Sequence, residues 1–265
     1  MDNKVKVAIA GVTSAVVVMM VPTETLAVEA SLDAAVFSAY DWRGQVINDE
    51  AVLQPSIDVS SDNGLTLNVW GNFDLTDDSA RDSEEFSEVD ITVSYDLNLG
   101  DDAPGVQIGL IEYLFPKEGD SVDAETGESS PDTDTREIYV GLSETVGVLD
   151  ISVTAYLDID EADGAYINAA VEHALSVGEE IGLVAGASVA YATSDYNEYY
   201  FGVDDSGLND VTFSLSGGVD VTENLSVGGE VHYVILPDSD IEKAAKATYG
   251  EDSFFWGGVS ASLAL

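Results

Sequence analysis

Apolar and polar side chains alternate residue by residue along most of this chain, and this pattern restricts the fold more than any other sequence feature. Between residues 65 and 75, Leu, Val, Gly and Phe occupy the odd positions, whereas Thr, Asn, Trp and Asp occupy the even ones. Residues 89–98 repeat the pattern. Because successive side chains of a β-strand point to opposite faces, each segment predicts a strand with one apolar and one polar face.

Twelve such segments follow one another, and the links between them are alternately short and long. The predicted strands are residues 32–43, 52–61, 64–75, 87–99, 104–115, 135–143, 147–158, 165–176, 180–192, 209–221, 224–236 and 253–265. Tight periplasmic turns that alternate with long external loops are typical of transmembrane β-barrels. We therefore predict an all-β fold: a single antiparallel up-and-down barrel of about 12 strands over residues 28–265. A barrel of ten or fourteen strands stays possible if the fifth or sixth segment is misassigned.

The N-terminal segment has the layout of a secretory signal peptide. Two lysines precede an apolar run over residues 7–21, and small residues follow it. Cleavage is expected after Ala27, which defines a signal peptide of residues 1–27, or after Ala30. The run is shorter than the roughly 20 apolar residues of a membrane-spanning helix. The sequence therefore predicts export, and the absence of cysteine leaves the mature fold without disulfides.

The chain is strongly acidic, with 51 Asp and Glu residues against 8 Lys and Arg residues and a net charge of −43. Nucleic acid is excluded as a partner because phosphate recognition requires a basic surface. So large a charge favours a salty or cation-rich setting, where counterions screen the self-repulsion. We expect the outer membrane of a Gram-negative bacterium from a marine or halophilic habitat.

A secreted β-sandwich or jelly roll is the competing fold, because its strands alternate in the same way. The apolar faces of a sandwich would carry large side chains that fill a core. Here those faces hold mainly Val, Leu, Ile, Ala and Gly, and aromatic residues lie towards the strand ends. The aromatic residues in question are Tyr40, Trp42, Phe73, Tyr191, Tyr233 and Phe255. Aromatic girdles at two membrane interfaces have this distribution, which favours the barrel.

If the apolar faces contact lipid, the polar faces line the lumen. The side chains expected to line or constrict the pore are Asp41, Arg43, Trp70, Asp74, Asp90, Glu137, Asp158, Asp210, Glu230 and His232. Most of the carboxylates fall near the external mouth, where a ring of negative charge attracts cations and opposes anions. The alternative for each carboxylate is a solvated strand end without a role in transport.

Arg43 is one of few basic residues and shares the inward phase of Asp41. We expect it to form an ion pair across the wall, near Asp74 or Asp90, and to support a constriction or gate.

Two positions break the simple pattern. Glu112 shares the phase of the apolar Ile108 and Leu110, and a β-bulge near Leu110 would turn its carboxylate inward. His173 lies on an apolar face near the periplasmic end of its strand, which predicts a histidine at the level of the lipid headgroups.

Residues 40–44 read Tyr-Asp-Trp-Arg-Gly, and Gln54 lies near the start of the next predicted strand. These residues resemble an uncharacterised group of bacterial outer-membrane proteins with a Tyr-x-Trp-Arg-Gly motif at the end of the first strand. The amphipathic last strand, which ends at Leu265, resembles the assembly signal of bacterial outer-membrane barrels. The resemblance implies a porin-like outer-membrane barrel; because the group has no assigned activity, it indicates fold and location rather than a substrate.

Acidic residues concentrate in the predicted external loops, above all in residues 117–134. Residues 158–164 look superficially like a calcium loop, but the order of their acidic residues departs from the EF-hand pattern. We expect no metal site and no cofactor, apart from divalent cations bound loosely at the acidic loops. Such cations would bridge loop carboxylates to lipopolysaccharide phosphates. The expected partners are outer-membrane lipids, lipopolysaccharide and small hydrophilic solutes or cations, and the barrel is expected to be a monomer.

Catalysis is not expected, because the two histidines lack an ordered constellation. His173 points outward without Ser176 or Asn168 placed around it, and His232 lies deeper than the external mouth. The sequence therefore predicts a channel for passive diffusion of small hydrophilic solutes with a cation preference. The alternative is a non-transporting structural or adhesive barrel that presents acidic loops. Whether the lumen is open or plugged stays undecided at this level.

Overall fold

Amphipathic strands that pair with their sequence neighbours close into a barrel in the computed structural model, which describes residues 27–76, 86–100, 103–116, 134–177 and 181–265. The strands in those ranges are β1 (Val28–Phe37), β2 (Tyr40–Trp42), β3 (Gln45–Asn48), β4 (Val52–Ser61), β5 (Leu65–Asp74), β6 (Phe86–Leu97), β7 (Gly105–Leu114), β8 (Thr135–Val146), β9 (Leu149–Asp158), β10 (Ala165–Val177), β11 (Ile181–Ala192), β12 (Gly207–Asp220), β13 (Leu225–Ile235) and β14 (Ser253–Ala264). The helices there are α1 (Ser194–Phe201) and α2 (Ser239–Tyr249). All strands except β2 and β3 belong to the closed antiparallel barrel, in which β14 pairs with β1.

The barrel is polar inside and apolar outside, the reverse of a soluble protein. The outward side chains of Leu215 and Ile151 are 43% and 39% exposed, whereas the inward Asn72 and Glu137 are 0% and 1% exposed. In a sandwich, the apolar Leu215 and Ile151 would be buried, and the polar Asn72 and Glu137 would be exposed. A continuous apolar belt around a polar interior requires hydrocarbon as the surrounding solvent. The predicted transmembrane β-barrel is therefore confirmed, and the sandwich is excluded.

The first predicted strand differs from the observed structure. The sequence predicts one strand over residues 32–43, but β1 ends at Phe37 and the next residues form the separate hairpin β2–β3. The prediction was wrong because alternation continues through the break: Asp41 and Arg43 keep the inward phase although they have left the wall. Helices α1 and α2 likewise occupy links that the sequence predicts as loops.

Glu112 points outward without a bulge, so that prediction was wrong. The pairing of β7 with β6 and β8 is continuous through this position. Its carboxylate accepts two hydrogen bonds from Arg136 on the neighbouring strand, at 2.6 Å and 2.5 Å. Because both residues lie near the long-loop ends of their strands, the ion pair sits at the edge of the apolar belt, where charges stay hydrated.

His173 lies on the outward face, as the sequence predicts. Its Nδ1 is 2.9 Å from the carbonyl oxygen of Val148, in the short turn between β8 and β9. This contact holds the ring beside the short-turn end of the barrel.

The predicted signal peptide and nearly all of the acidic segment 117–134 lie outside the described residues. Neither described helix is long and apolar enough to cross a bilayer.

The inside-out arrangement makes a direct prediction for charged substitutions. Replacing the outward Leu215 by Lys should lower the free energy of unfolding from lipid vesicles by about 2–4 kcal/mol, because the ammonium would enter hydrocarbon. The matched control is Ser216→Lys, one residue along the same strand and directed into the lumen beside Glu230. Urea titration of both variants in vesicles provides the measurement. Equal losses at the two positions would contradict the assignment of faces.

Candidate functional site: the luminal plug

The hairpin β2–β3 leaves the long-loop end of the wall and folds into the lumen, where Tyr40, Gln45 and Val46 are buried. Trp42 pairs with Gln45, so that Arg43 and Gly44 alone form the turn. Both turn residues have positive φ angles, 53° and 82°, as in a type I′ turn, whose twist matches a two-stranded ribbon. A Cβ atom on Gly44 would lie 2.7 Å from the side chain of Leu236, so glycine is required for both conformation and space.

The hairpin spans the full width of the lumen. It begins after β1, and β9 lies six strands away from β1 in either direction around the barrel. The tip of the hairpin contacts β8, β9 and β10 through the side chain of Arg43. The barrel is therefore bridged from one wall to the opposite one.

An ion pair anchors the tip of the hairpin. Arg43 donates from Nη1 and Nη2 to the two carboxylate oxygens of Glu137, at 2.6 Å and 2.7 Å. The Tyr113 hydroxyl donates to the same carboxylate at 2.9 Å, and Asn209 donates to the backbone carbonyl of Arg43 at 3.0 Å. Burial lowers the pKa of Arg43, but the negative charge of Glu137 raises it by more than burial lowers it. The pKa therefore lies above its usual value, and the guanidinium is charged. A bidentate geometry of this kind is among the strongest hydrogen-bonded pairs available to side chains.

Aromatic rings enclose the same guanidinium. Its central carbon lies 4.6 Å from the ring centroid of Trp42 and 4.4 Å from those of Tyr156 and Tyr166. Tyr196 lies further away, at 5.8 Å. Each ring face attracts a cation, and the attraction grows when water is removed. We call these four aromatic residues together with Glu137 the arginine cage.

The two helices cover the hairpin from the long-loop side. Their apolar side chains and neighbouring wall residues form a buried cluster: Tyr166, Ala190, Ala192, Tyr196, Phe201, Leu236, Ile241 and Ala245. The Tyr249 hydroxyl of α2 donates to Gln45 of the hairpin at 2.8 Å. We call residues 40–48 together with α1 and α2 the luminal plug. It lies in the lumen at the long-loop end of the barrel.

Asp41 and Asp210 face the hairpin turn. The backbone N–H of Gly44 donates to Asp41 at 3.1 Å, and the Tyr166 hydroxyl donates to Asp210 at 2.8 Å. Burial raises the pKa of Asp41, and the nearby charge of Asp210 raises it further. The hairpin therefore enters a region of negative potential that favours the cation at its tip.

Trp70 and Asp90 lie beneath the base of the hairpin. The Trp70 ring packs against Tyr40 with centroids 5.6 Å apart, and the Tyr40 hydroxyl donates to Glu88 at 2.8 Å. Asp90 is buried next to Glu88 on the same inward face of β6. This side of the hairpin base thus rests on an acidic wall.

Asp74 and Asp158 act as local structural acceptors. Asp74 accepts hydrogen bonds from Asn48 at 2.8 Å and from Asn72 at 3.0 Å, which ties the hairpin to β5. Asp158 accepts from the Thr135 hydroxyl at 2.8 Å and from two backbone N–H groups of the following turn. The calcium-like order of residues 158–164 therefore corresponds to a turn that folds around its first carboxylate. Within the described ranges, no cluster of three or more His, Asp or Glu side chains could hold a metal ion.

Glu230 and His232 lie apart from the plug, on β13. The His232 ring stacks on Trp256 with centroids 4.0 Å apart, and its Nε2 lies 3.6 Å from Glu230. The other predicted pore-lining residues gather around the plug. The structure therefore leaves Glu230 and His232 apart from the other residues of the predicted set.

The ion-pair partner of Arg43 differs from the sequence prediction. Asp74 and Asp90 do not bind the guanidinium; Glu137 does, because the hairpin carries Arg43 across the bore instead of along its own wall. The sequence also missed Tyr113, Tyr166 and Tyr196 as site residues. Tyr113 and Tyr166 had the inward phase as a signal, whereas Tyr196 lies in a link without alternation.

The buried pair makes a prediction for stability. Arg43→Met should lower the free energy of unfolding by about 3–5 kcal/mol, because the buried carboxylate of Glu137 would lose its bidentate partner. The double variant Arg43→Met/Glu137→Met should lose less, since no unpaired charge stays behind. Denaturant titration of the wild type, both single variants and the double variant gives the coupling energy. Strictly additive losses would show that the pair does not anchor the hairpin.

Comparison with solved structures finds the same fold in outer-membrane porins and channels. The KdgM porin matches with a TM-score of 0.53 and 10% identity over 88% of this chain and 98% of that chain. The NanC porin matches with a TM-score of 0.51 and 11% identity over the same shares. An outer-membrane channel of Pseudomonas putida F1 matches with a TM-score of 0.51 and 10% identity over 93% of this chain and 100% of that chain. At such low identity the likeness establishes the fold.

No curated protein matches the sequence. Residues 23–234 match the model of a family described as Gcw_chp, a bacterial protein of unknown function. The chain therefore belongs to the Gcw_chp family, with the fold of a porin-like outer-membrane β-barrel.

Proposed function

We propose that this protein is a narrow outer-membrane channel for passive diffusion of small hydrophilic solutes, with a preference for cations. The observation that carries the proposal is a polar barrel interior whose obstruction, the hairpin tip, is anchored to the opposite wall by a buried ion pair. A barrel without a pore could fill its interior with side chains of the wall strands alone. Here the wall leaves room for an inserted segment, which is the arrangement of a constricted pore.

The charge of the lumen supports the cation preference. Among the described residues, Arg43 is the one Lys or Arg side chain directed into the lumen: Arg136 points outward, and the lysines of α2 are exposed. The buried acidic residues there are Asp74, Glu88, Asp90, Glu137, Asp158 and Asp210. This excess of negative charge would raise the local concentration of cations and repel anions.

One of the matched porins is described in complex with oligogalacturonate, which is a polyanion. The acidic interior of the present barrel would repel such a solute, so cations and neutral molecules are the better candidates. The apolar belt implies outer-membrane lipids as partners. Lipopolysaccharide, bridged to the acidic loops by divalent cations, belongs to the same proposal, as does a monomeric barrel.

The proposal includes no catalysis. The two histidines of the chain lie on opposite faces of the wall, with His173 outward and His232 inward. A nucleophile activated by a base would need such groups within hydrogen-bonding reach of each other.

The second candidate function is a barrel without transport that stabilises the envelope or presents acidic loops. The observation that favours it is the extent of the plug, since α1 and α2 pack an apolar cluster over the hairpin. Conductance of the purified protein separates the two candidates.

Removing the anchor of the hairpin should open the channel. In planar bilayers, Arg43→Ala is expected to raise single-channel conductance several-fold over the wild type, because the hairpin tip loses its side-chain contacts with β8, β9 and β10. The matched control is Arg136→Ala, which removes an equally bidentate Arg–Glu pair from the outer surface and should leave conductance unchanged. Silence of both the wild type and Arg43→Ala would favour the non-transporting barrel.

Ion selectivity tests the charge argument separately. Under a salt gradient, the reversal potential of the Arg43→Ala pore should indicate cations over anions, and Asp90→Asn in that background should weaken the preference. Anion selectivity of the open pore would contradict the proposed cation preference.

A further inference from the structure

We propose that the arginine cage is a binding site for guanidinium-type organic cations, in which Arg43 is a tethered occupant that a free ligand can replace. The binding site follows from the geometry of the cage, whereas its consequence for transport rests on the proposed channel function. The ligand class is a small solute that carries a planar guanidinium group.

Apart from Trp42 of the hairpin, the cage belongs to a different part of the molecule from its occupant. Glu137, Tyr156 and Tyr166 belong to the barrel strands β8, β9 and β10, and Tyr196 belongs to α1. Arg43 lies on the hairpin, which is joined to the barrel through the links at its two ends. If the hairpin tip withdraws, the carboxylate and three of the four rings stay in the wall and its covering helix. The site therefore persists without its internal occupant.

The geometry is specific for a planar cation. Two parallel N–H···O bonds of 2.6 Å and 2.7 Å match the fork of a guanidinium to the carboxylate of Glu137. The ring centroids of Tyr156 and Tyr166 both lie 4.4 Å from the guanidinium carbon. An ammonium is a compact point charge, which cannot make the paired hydrogen bonds and is more strongly hydrated. We expect an alkylammonium ion to bind about tenfold more weakly or worse.

The receiving groups are held in place by contacts that do not involve Arg43. The Tyr113 hydroxyl donates to Glu137 at 2.9 Å, and the Tyr166 hydroxyl donates to Asp210 at 2.8 Å. Both donors and both acceptors belong to the barrel strands. Because these bonds fix the carboxylate and one ring, a free ligand would meet an organised site.

The tethered occupant carries a conformational cost that a free ligand lacks. Arg43 has a φ of 53°, in the left-handed region that non-glycine residues seldom adopt. The contacts of the guanidinium compensate for this strain as long as the side chain occupies the cage. A free guanidinium would gain the same contacts without straining the hairpin turn, so replacement would release the tip. Binding of such a solute would thereby displace the hairpin tip and open the lumen to the same solute.

Methylguanidinium and methylammonium, at millimolar concentrations of their chlorides, are the probes that test the site. The purified Arg43→Ala barrel in detergent should gain thermal stability with methylguanidinium in a saturable manner, and it should gain little with methylammonium. The same variant with Glu137→Gln added should lose this response. Isothermal calorimetry of Arg43→Ala gives the two affinities directly, and equal affinities for the two ions would overturn the proposal.

A second variant guards against poor folding of Arg43→Ala. Arg43→Lys keeps a positive charge beside Glu137 but loses the fork, so methylguanidinium should replace its ammonium and again raise the thermal midpoint. Absence of a specific response in both variants would also overturn the proposal.

Conductance gives the transport arm of the test. Methylguanidinium should reduce the conductance of the Arg43→Ala pore by refilling the cage, and it should raise that of the wild type by displacing the hairpin tip. Specific binding in a barrel that never conducts would support the guanidinium site and contradict the channel function. A conducting pore that does not bind methylguanidinium would support the channel function and contradict the guanidinium site.

Discussion

The hydrocarbon interior of a membrane offers no hydrogen-bond partner to the backbone, and this constraint governs the rest of the structure. Every N–H and C=O group of a membrane-spanning strand must be paired within the protein, which forces the sheet to close on itself. The pairing of β14 with β1 completes that closure. Because lipid replaces water outside, the usual distribution of side chains is reversed, and the carboxylates and amides gather in the centre.

A closed polar wall creates a second problem, because several buried carboxylates lie close together inside it. The inserted hairpin compensates one of these carboxylates. Arg43 brings a positive charge to Glu137, and the surrounding tyrosines contact the same cation with their ring faces. Removing the charge from water is costly, and only bidentate bonding with several aromatic contacts offsets that cost. The features that stabilise the hairpin are therefore the features that would recognise a guanidinium from outside.

The strands were predictable from sequence since their signal is local. Alternation reveals which face of Leu215 or Ile151 meets lipid, because the pleat reverses direction at each residue. The same reasoning failed at Arg43. Its phase was right, but phase carries no information on whether a segment stays in the wall or turns into the lumen. At Glu112 the phase itself was doubted. An outward charge suggested a bulge because its partner, Arg136, is distant in sequence.

The sequence by itself determined the class of molecule: an acidic outer-membrane barrel with an apolar outer face and polar residues inside. Only the tertiary structure decided that a hairpin inserts into the lumen, that Glu137 binds its Arg43 and that Tyr113, Tyr166 and Tyr196 complete the site. The physical reason is the range of each signal. Side-chain alternation is set by neighbouring residues, whereas the partner of a side chain that crosses the bore is set by the closure of the whole barrel.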